Sequence, residues 1–335
     1  MATARNDTKL KAADFASDQE VRWCPGCGDY AILKAIQKTL ADLGVKPENT
    51  VFVSGIGCAS RFPYYMSSYG FHTIHGRAPA FATGIKLSNP ELDVWVVSGD
   101  GDGLSIGGNH TLHVLRRNVN LQICLFNNEI YGLTKGQYSP TSRRGTTSPS
   151  SPLGSLEQPL SACRFALGAG ARFVARSIDT QQKHLIEVLK RAHEHHGASF
   201  TEIFQNCIVF NDGVFADFTD KKVASERQVR VEHGKPLVFG ADNEKGLRVK
   251  PGTLQLEVVK LGEGITEDSL LVHDEKDRTL AQLLVSMEPP DFPVALGVIY
   301  CDPATAYDDQ VQSRLDAACC GDLNELVRKG RTWSV

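Results

Sequence analysis

Two apolar rhythms alternate along residues 29–204. Residues 29–43 (Asp29-Tyr-Ala-Ile-Leu-Lys-Ala-Ile-Gln-Lys-Thr-Leu-Ala-Asp-Leu43) place apolar side chains at helical spacing and stop at Gly44, which predicts a helix. Thr50-Val-Phe-Val-Ser54, Val94-Trp-Val-Val97 and Leu121-Gln-Ile-Cys-Leu-Phe126 are short and almost wholly apolar, as strands buried on both faces must be. The spacing predicts a helix over 104–117, a strand over 171–176, a helix over 180–196 and a strand over 200–204. This order implies an α/β fold with a doubly wound, mainly parallel sheet. Residues 136–160 are rich in Ser, Thr, Pro and Gly and read as a long functional loop. Residues 1–20 are polar and read as an N-terminal arm, and 21–215 as the main domain. Residues 216–335 read as a C-terminal extension with one further strand at Val294-Ala-Leu-Gly-Val-Ile-Tyr300.

Composition narrows the partners. A chain of 335 residues, 41% hydrophobic and 22% charged, is ample for a buried core. A net charge of −3 gives no reason to expect nucleic acid. No apolar run reaches the length of about 18 residues that would suggest a membrane span. Met1-Ala-Thr-Ala-Arg-Asn-Asp7 lacks the apolar centre of a signal peptide, so the nine cysteines are expected in a reducing, cytoplasmic setting. There, Cys-x-x-Cys marks a metal or redox site more often than a disulfide.

Polar chemistry gathers where the predicted strands stop. In a parallel sheet, ligands lie beyond the carboxyl ends of the strands. Asp100, in Ser98-Gly-Asp-Gly-Asp102, follows one strand, and Asn128 follows the next. A carboxylate and an amide oxygen on one edge suit a hard cation such as Mg2+ with phosphate oxygens. Gly99 and Gly101 allow the backbone to approach phosphate, and the helix that follows points N–H groups at it. A plain Gly-Asp turn is the competing reading, weakened by the Asn-Asn pair one strand later.

The cysteines follow the same logic. Cys24 and Cys27, in Trp23-Cys-Pro-Gly-Cys-Gly28, precede the first helix; Cys58 and Cys207 close strands. Four thiolates suit Zn2+ or a [4Fe–4S] cluster, and spacing alone does not separate them. Cys124 lies inside a strand and Cys163 in a helix, both as packing. Cys319 and Cys320 are adjacent, which disfavours joint ligation. Cys301 also ends a strand and rivals Cys207.

These segments, with Gly55-Ile-Gly-Cys-Ala-Ser-Arg-Phe-Pro63, Phe71-His-Thr-Ile-His-Gly-Arg-Ala-Pro79 and Asn127-Asn-Glu-Ile-Tyr-Gly-Leu-Thr-Lys-Gly-Gln137, resemble the beta subunits of 2-oxoacid:ferredoxin oxidoreductases, most of all the 2-oxoglutarate enzymes. The resemblance is strong over about residues 20–215 and loose beyond. It implies a thiamine diphosphate-binding fold, with Asp100, Asn128 and the Ile130 carbonyl on Mg2+. Cys24, Cys27, Cys58 and Cys207 would hold one [4Fe–4S] cluster. Ile56, Gly57, Ser60, His75, Gly99, Gly101 and Asp102 become expected cofactor contacts, and His75 and Lys135 expected catalytic-site residues. Lys135 would meet the distal carboxylate of the substrate. His75 as a core histidine, Ser60 as a helix cap and Lys135 as a solvated lysine are the plain alternatives.

The implied reaction joins 2-oxoglutarate and coenzyme A, releases carbon dioxide and passes electrons to ferredoxin, reversibly. The carboxylate that activates thiamine has no candidate here. The resemblance places it, with part of the substrate and coenzyme A site, on a separate alpha subunit. Pyruvate or branched-chain 2-oxoacids as substrate, and a non-oxidative thiamine decarboxylase with structural zinc, are the competing functions. An electron-transfer or assembly subunit without catalysis would have no use for Asp100 and Asn128.

Overall fold

The computed structural model describes residues 10–262, 264–318 and 322–329; residues 1–9 of the expected arm, and Cys319 and Cys320, lie outside them. Helix α1 (Asp29–Leu43) precedes β1 (Thr50–Ser54), β2 (Tyr69–His72), α2 (Ala78–Ser88), β3 (Asp93–Gly99), α3 (Gly108–Arg117) and β4 (Leu121–Asn127). A short hairpin, β5 (Ile130–Tyr131) and β6 (Gln137–Tyr138), leads to α4 (Ala162–Gly168), β7 (Phe173–Ile178), α5 (Gln182–Glu194) and β8 (Ala198–Phe204). Later come β9 (Gln228–Val231), a three-stranded antiparallel sheet of β10 (Val238–Phe239), β11 (Lys245–Val249) and β12 (Leu256–Lys260), and β13 (Val294–Cys301).

The main sheet has eight strands in the order β2-β1-β3-β4-β8-β7-β13-β9. Every pairing is parallel except β13 with β7. The strands read as unbroken apolar runs because both faces are covered. In β1, Val51 and Val53 face one core and Phe52 the other; in β3, Val94 and Val96 are divided in the same way from Trp95 and Val97. That is the two-residue period of a pleated strand. α1 and α5 cover the Phe52 side with Ile32, Ile36, Leu40, Leu185 and Leu189. α2, α3 and α4 cover the other with Ala82, Leu115 and Ala166. Complete burial of side chains such as Ile36 and Leu40 stabilises the fold by roughly 2 kcal/mol each.

α1 ends where expected, at Gly44, whose φ of 69° a glycine adopts without strain. The helix expected from residue 104 begins instead with one π turn, Asp102–Ile106, before α3. Phe15, within the expected polar arm, is fully buried against the Trp23 side of the core. β13 is buried along all eight residues and sits inside the sheet, with β9 beyond it. Its apolar run is covered on both faces, and β7 and β9 pair its backbone on both sides. No described helix is long and apolar enough to cross a membrane.

Candidate functional site

The parallel order brings the ends of β1, β3, β4 and β8 to one rim. β3 stops at Gly99 and the chain turns at once through Asp100-Gly-Asp102. The Asp102 carboxylate accepts from Ile56 N at 3.0 Å, Gly76 N at 2.7 Å and Ser98 Oγ at 2.7 Å. It thereby ties the segments after β1 and β2 to the end of β3. A Cβ at Gly55 would collide with that carboxylate, so only glycine fits there.

These segments enclose a cavity of about 480 Å3, within the usual size of a cofactor site. Its lining includes Ile56, Gly57, Cys58, His75, Gly99, Asp100, Gly101, Asp102, Asn128 and Ile130. Asp100 is 2% exposed, and one of its oxygens accepts from Ser139 Oγ at 2.5 Å and Thr141 Oγ1 at 2.6 Å. Burial pushes this carboxyl above its usual range, and the two hydroxyls pull it back. Asn128 lies at the same rim; its Oδ1 accepts from Ile130 N at 3.2 Å. A buried carboxylate and an oriented amide oxygen, backed by glycines, fit a magnesium diphosphate.

Of the four expected cysteines, Cys58 lines this cavity, and Cys207 lies behind its lining residue Gly132. Trp23 Nε1 donates to the Cys58 carbonyl at 2.7 Å, and Gly28 N donates to the Asn206 carbonyl at 3.2 Å. These bonds bind the Cys24–Cys27 loop to the segments carrying Cys58 and Cys207. A Cβ on Gly132 would touch the sulfurs of Cys58 and Cys207, at 3.5 and 3.6 Å. Burial first, then Asp29, Cys207 and Cys24, pushes Cys58 up to about 12. Burial, Asp29 and the neighbouring thiols push Cys27 up as well. Asp29 is buried beside Cys27, the one group that offers it a hydrogen bond, and burial pushes it up to about 7 against that contact. The donor set is therefore rich in sulfur and short of positive charge, which a cationic metal centre would supply. Among the described residues, no three His, Cys, Asp or Glu side chains converge closely enough to hold one ion. Tetrahedral zinc would need sulfurs about 3.8 Å apart.

Some expected residues are placed differently. Ser60 does not line the cavity; its Oγ is buried without a partner, and its carbonyl accepts from Ser54 Oγ at 2.6 Å. It belongs to the turn Ala59–Tyr65, which packs Phe62 into the core. Lys135 is exposed on the hairpin between β5 and β6, at a φ of 77°, flanked by Thr134 and Gln137, which do line the cavity. His75 is an exposed cavity residue, which removes the core-histidine alternative. Cys124 and Cys163 are buried in the cores, as expected of packing residues.

Other contributors escaped the sequence. Thr141 Oγ1 also lies 3.0 Å from Asn127 Oδ1; Asn127 Nδ2 donates to Glu202 at 2.8 Å, and Arg176 Nε donates to Glu202 at 2.7 Å. A continuous polar chain thus runs from a buried guanidinium to Asp100. Ser139 and Thr141 stood in the sequence only as part of a polar loop, and no local signal marks a hydroxyl that meets a carboxylate 41 or 39 residues away.

Comparison with known proteins places this site among relatives. Residues 55–203 match the thiamine pyrophosphate enzyme, C-terminal TPP binding domain family. The chain is 50% identical over 338 residues to 2-oxoglutarate oxidoreductase subunit KorB of Mycobacterium tuberculosis, covering 98% of this chain and 90% of the relative. It is 43% identical over 201 residues to 2-oxoglutarate synthase subunit KorB of Archaeoglobus fulgidus, covering 59% of this chain and 75% of the relative. Among solved structures, 2-oxoglutarate:ferredoxin oxidoreductase from Magnetococcus marinus, with 2-oxoglutarate, coenzyme A and succinyl-CoA bound, superposes with a TM-score of 0.78. Sequence identity there is 33%, over 96% of this chain and 97% of that one.

Proposed function

The chain belongs to the 2-oxoacid:ferredoxin oxidoreductase family as a beta subunit, and we propose that it serves 2-oxoglutarate. The reaction is 2-oxoglutarate + CoA + oxidised ferredoxin to succinyl-CoA + CO2 + reduced ferredoxin, with two electrons leaving per turnover. Thiamine diphosphate, when bound, supplies the carbanion chemistry that releases carbon dioxide, and a [4Fe–4S] cluster carries the electrons away. The observation that carries this reading is the shared wall: Cys58 lines the same cavity as Asp100 and Asn128. An electron acceptor and a diphosphate cofactor would then be neighbours.

In this reading Asp100, the Asn128 amide oxygen and the Ile130 carbonyl hold Mg2+. Gly99 and Gly101 admit the phosphates, while Ile56 and Gly57 support the cofactor. Asp102 holds the loops that form the pocket, rather than meeting the cofactor with a free carboxylate. Cys24, Cys27, Cys58 and Cys207 hold the cluster. His75 stands at the cavity and Lys135 on its margin, where it can meet a second substrate carboxylate. Ser60 acts through the turn that holds Cys58. An alpha subunit supplies the glutamate that activates thiamine, and ferredoxin collects the electrons.

The test is anaerobic purification of the alpha–beta complex with metal and cofactor analysis. Iron near four per beta chain, with bound thiamine diphosphate, is expected on the stoichiometry of one cluster. Asp100→Asn is expected to weaken magnesium-dependent thiamine diphosphate binding at least 100-fold by calorimetry, on the order of removing a charged metal ligand. Zinc in place of iron, or unchanged binding in Asp100→Asn, overturns the reading.

A further inference from the structure

Gln205 follows β8 and has no exposed surface. Its backbone N–H donates to the Asn127 carbonyl at 2.8 Å, which continues the β4–β8 ladder and fixes where its side chain starts. The side-chain amide then spans two sites. Its oxygen accepts from Asn128 Nδ2 at 2.7 Å. Its nitrogen donates to the Asn206 carbonyl at 2.6 Å and to Cys27 Sγ at 3.3 Å.

The orientation of this amide is determined by its surroundings. The Asn206 carbonyl can only accept, so the Gln205 nitrogen must face it. The Gln205 oxygen therefore faces Asn128, and only the Asn128 nitrogen can donate to it. That leaves the Asn128 oxygen on the other side, where it accepts from Ile130 N. One backbone carbonyl thus decides, through two amide groups, which atom of Asn128 can meet a cation. The second N–H of Gln205 is left for the Cys27 sulfur. Gly28 permits the approach, since a Cβ there would lie 2.9 Å from Gln205 Cγ.

We propose that Gln205 is a positioning residue shared by both cofactor sites, turning the Asn128 oxygen toward Mg2+ and raising the cluster's reduction potential through its hydrogen bond to Cys27. This rests on the reading of Asn128 and Cys27 as ligands. A sulfur that accepts an N–H carries less negative charge, so the added electron is better tolerated and the potential rises. Outer partners that orient a ligand typically account for 10–100-fold in metal affinity. Asp100 has its own holders in Ser139 and Thr141, so of the two side chains proposed for Mg2+ Gln205 bears on Asn128 alone.

Two variants separate the two roles. Gln205→Met removes the acceptor for Asn128 and the donor to Cys27. Gln205→Glu, protonated in this buried setting, keeps an acceptor for Asn128 and has a single O–H, which the Asn206 carbonyl takes, so Cys27 loses its donor with no charge added. Both are prepared in the assembled alpha–beta complex. The cluster potential is read by EPR-monitored titration, and Mg2+ affinity by calorimetry at saturating thiamine diphosphate.

In both variants the reduction equilibrium is expected to fall by about threefold to tenfold, tenfold being about 59 mV for one electron. Mg2+ affinity is expected to fall about tenfold or more in Gln205→Met and to stay within about threefold of wild type in Gln205→Glu. An exchangeable-proton coupling to the reduced cluster, seen by pulsed EPR, disappears in both. A potential unmoved in both variants, or equal Mg2+ affinity in Gln205→Met and wild type, overturns the proposal. If Gln205→Met does not load iron, Gln205→Glu decides on the potential and the proton coupling. Cys27→Ser and Asp100→Asn serve as controls. If they retain iron and Mg2+ binding, the underlying assignment of ligands fails; if they lose them while the Gln205 variants behave as wild type, only this inference fails.

Discussion

The two rims of the eight-stranded sheet each receive a cysteine at a strand end, and they treat it in opposite ways. Cys207 follows β8, a parallel strand, and arrives beside Cys58 and Gly132 at the rim that holds Asp100 and Asn128. Cys301 closes β13, but β13 runs antiparallel to β7, so Cys301 pairs with Phe173, the first residue of β7. It therefore lies on the far rim, 8% exposed, with His195 Nδ1 at 3.8 Å from its sulfur. In sequence the two cysteines look alike. The rule that ligands sit beyond strand ends holds only for strands running the same way, and the direction of a single strand separates the cysteine proposed as a cluster ligand from a packing residue.

The working rim and the sheet interior behind it also differ in how they treat buried charge. At the rim, Asp29 has only the Cys27 thiol to offer it a hydrogen bond, and burial raises its pKa. Further inside, Glu202 is satisfied by Arg176 and Asn127, and its side chain is 3% exposed. The first arrangement leaves room for a positive group; the second is complete as it stands.

The sharpest way to break the contrast between rims is to exchange the rival cysteines for serine one at a time. Cys207→Ser is expected to lose nearly all cluster iron, while Cys301→Ser keeps the wild-type content. Iron analysis and visible absorption of anaerobic preparations would read this directly, and loss of iron from both variants would abolish the distinction.

Next in size is the buried pair behind the metal loop. Glu202→Met leaves Arg176 charged, buried and unpaired, and is expected to lower stability by about 3–5 kcal/mol. The double change with Arg176→Met should recover much of that loss, because the orphan charge goes with its partner. Urea denaturation of the three variants would measure it. A single variant as stable as wild type would mean that the polar chain from Arg176 to Asp100 is not held by this pair.

The smallest effect is a pH dependence on the far rim. Burial, with His196 nearby, pushes His195 down to about 4. The unfolded chain takes up its proton near 6.5, the folded chain only near 4. The His195 contribution is therefore complete above pH 6.5 and is lost as pH falls toward 4, at about 1 kcal/mol per pH unit. His193, on the same helix, has its pKa raised by the Asp93 carboxylate 3.1 Å away, although burial opposes the shift. Its contribution is complete below the unfolded value and fades as pH rises through the folded one. His195→Phe should flatten the acid side of the stability curve and leave the alkaline side unchanged. Denaturation at pH 5 and pH 8 would decide, and an unchanged acid side would count against burial as the cause.

Much of the working rim was legible because its features are local. The run from Asp29 to Leu43 carries its own helical spacing, and Gly44 its own stop. Asp100 and Asn128 each sit one step past an apolar run, and the crossover between parallel strands places them together. Other features needed partners distant in sequence. Thr141 reaches Asp100 from within a loop whose composition says only that it is polar. Gln205 resembles any strand-end glutamine until Asn206 orients its amide. Ser60 was expected at the cofactor because the resemblance sets its segment against thiamine diphosphate, yet in the turn that seats Phe62 its hydroxyl is buried away from the cavity.

What the sequence determined alone is the set of buried runs, their order and the donor atoms at their ends, because pleat and helix periods are properties of neighbouring residues. What only tertiary structure decided is which strand runs backwards, which hydroxyls reach Asp100 and how the Gln205 amide is turned. These depend on contacts between segments far apart in the chain. The direction of β13 is set by the path the chain takes from β9 through the small sheet and back, and a hydrogen bond exists only where folding brings donor and acceptor to within about 3 Å.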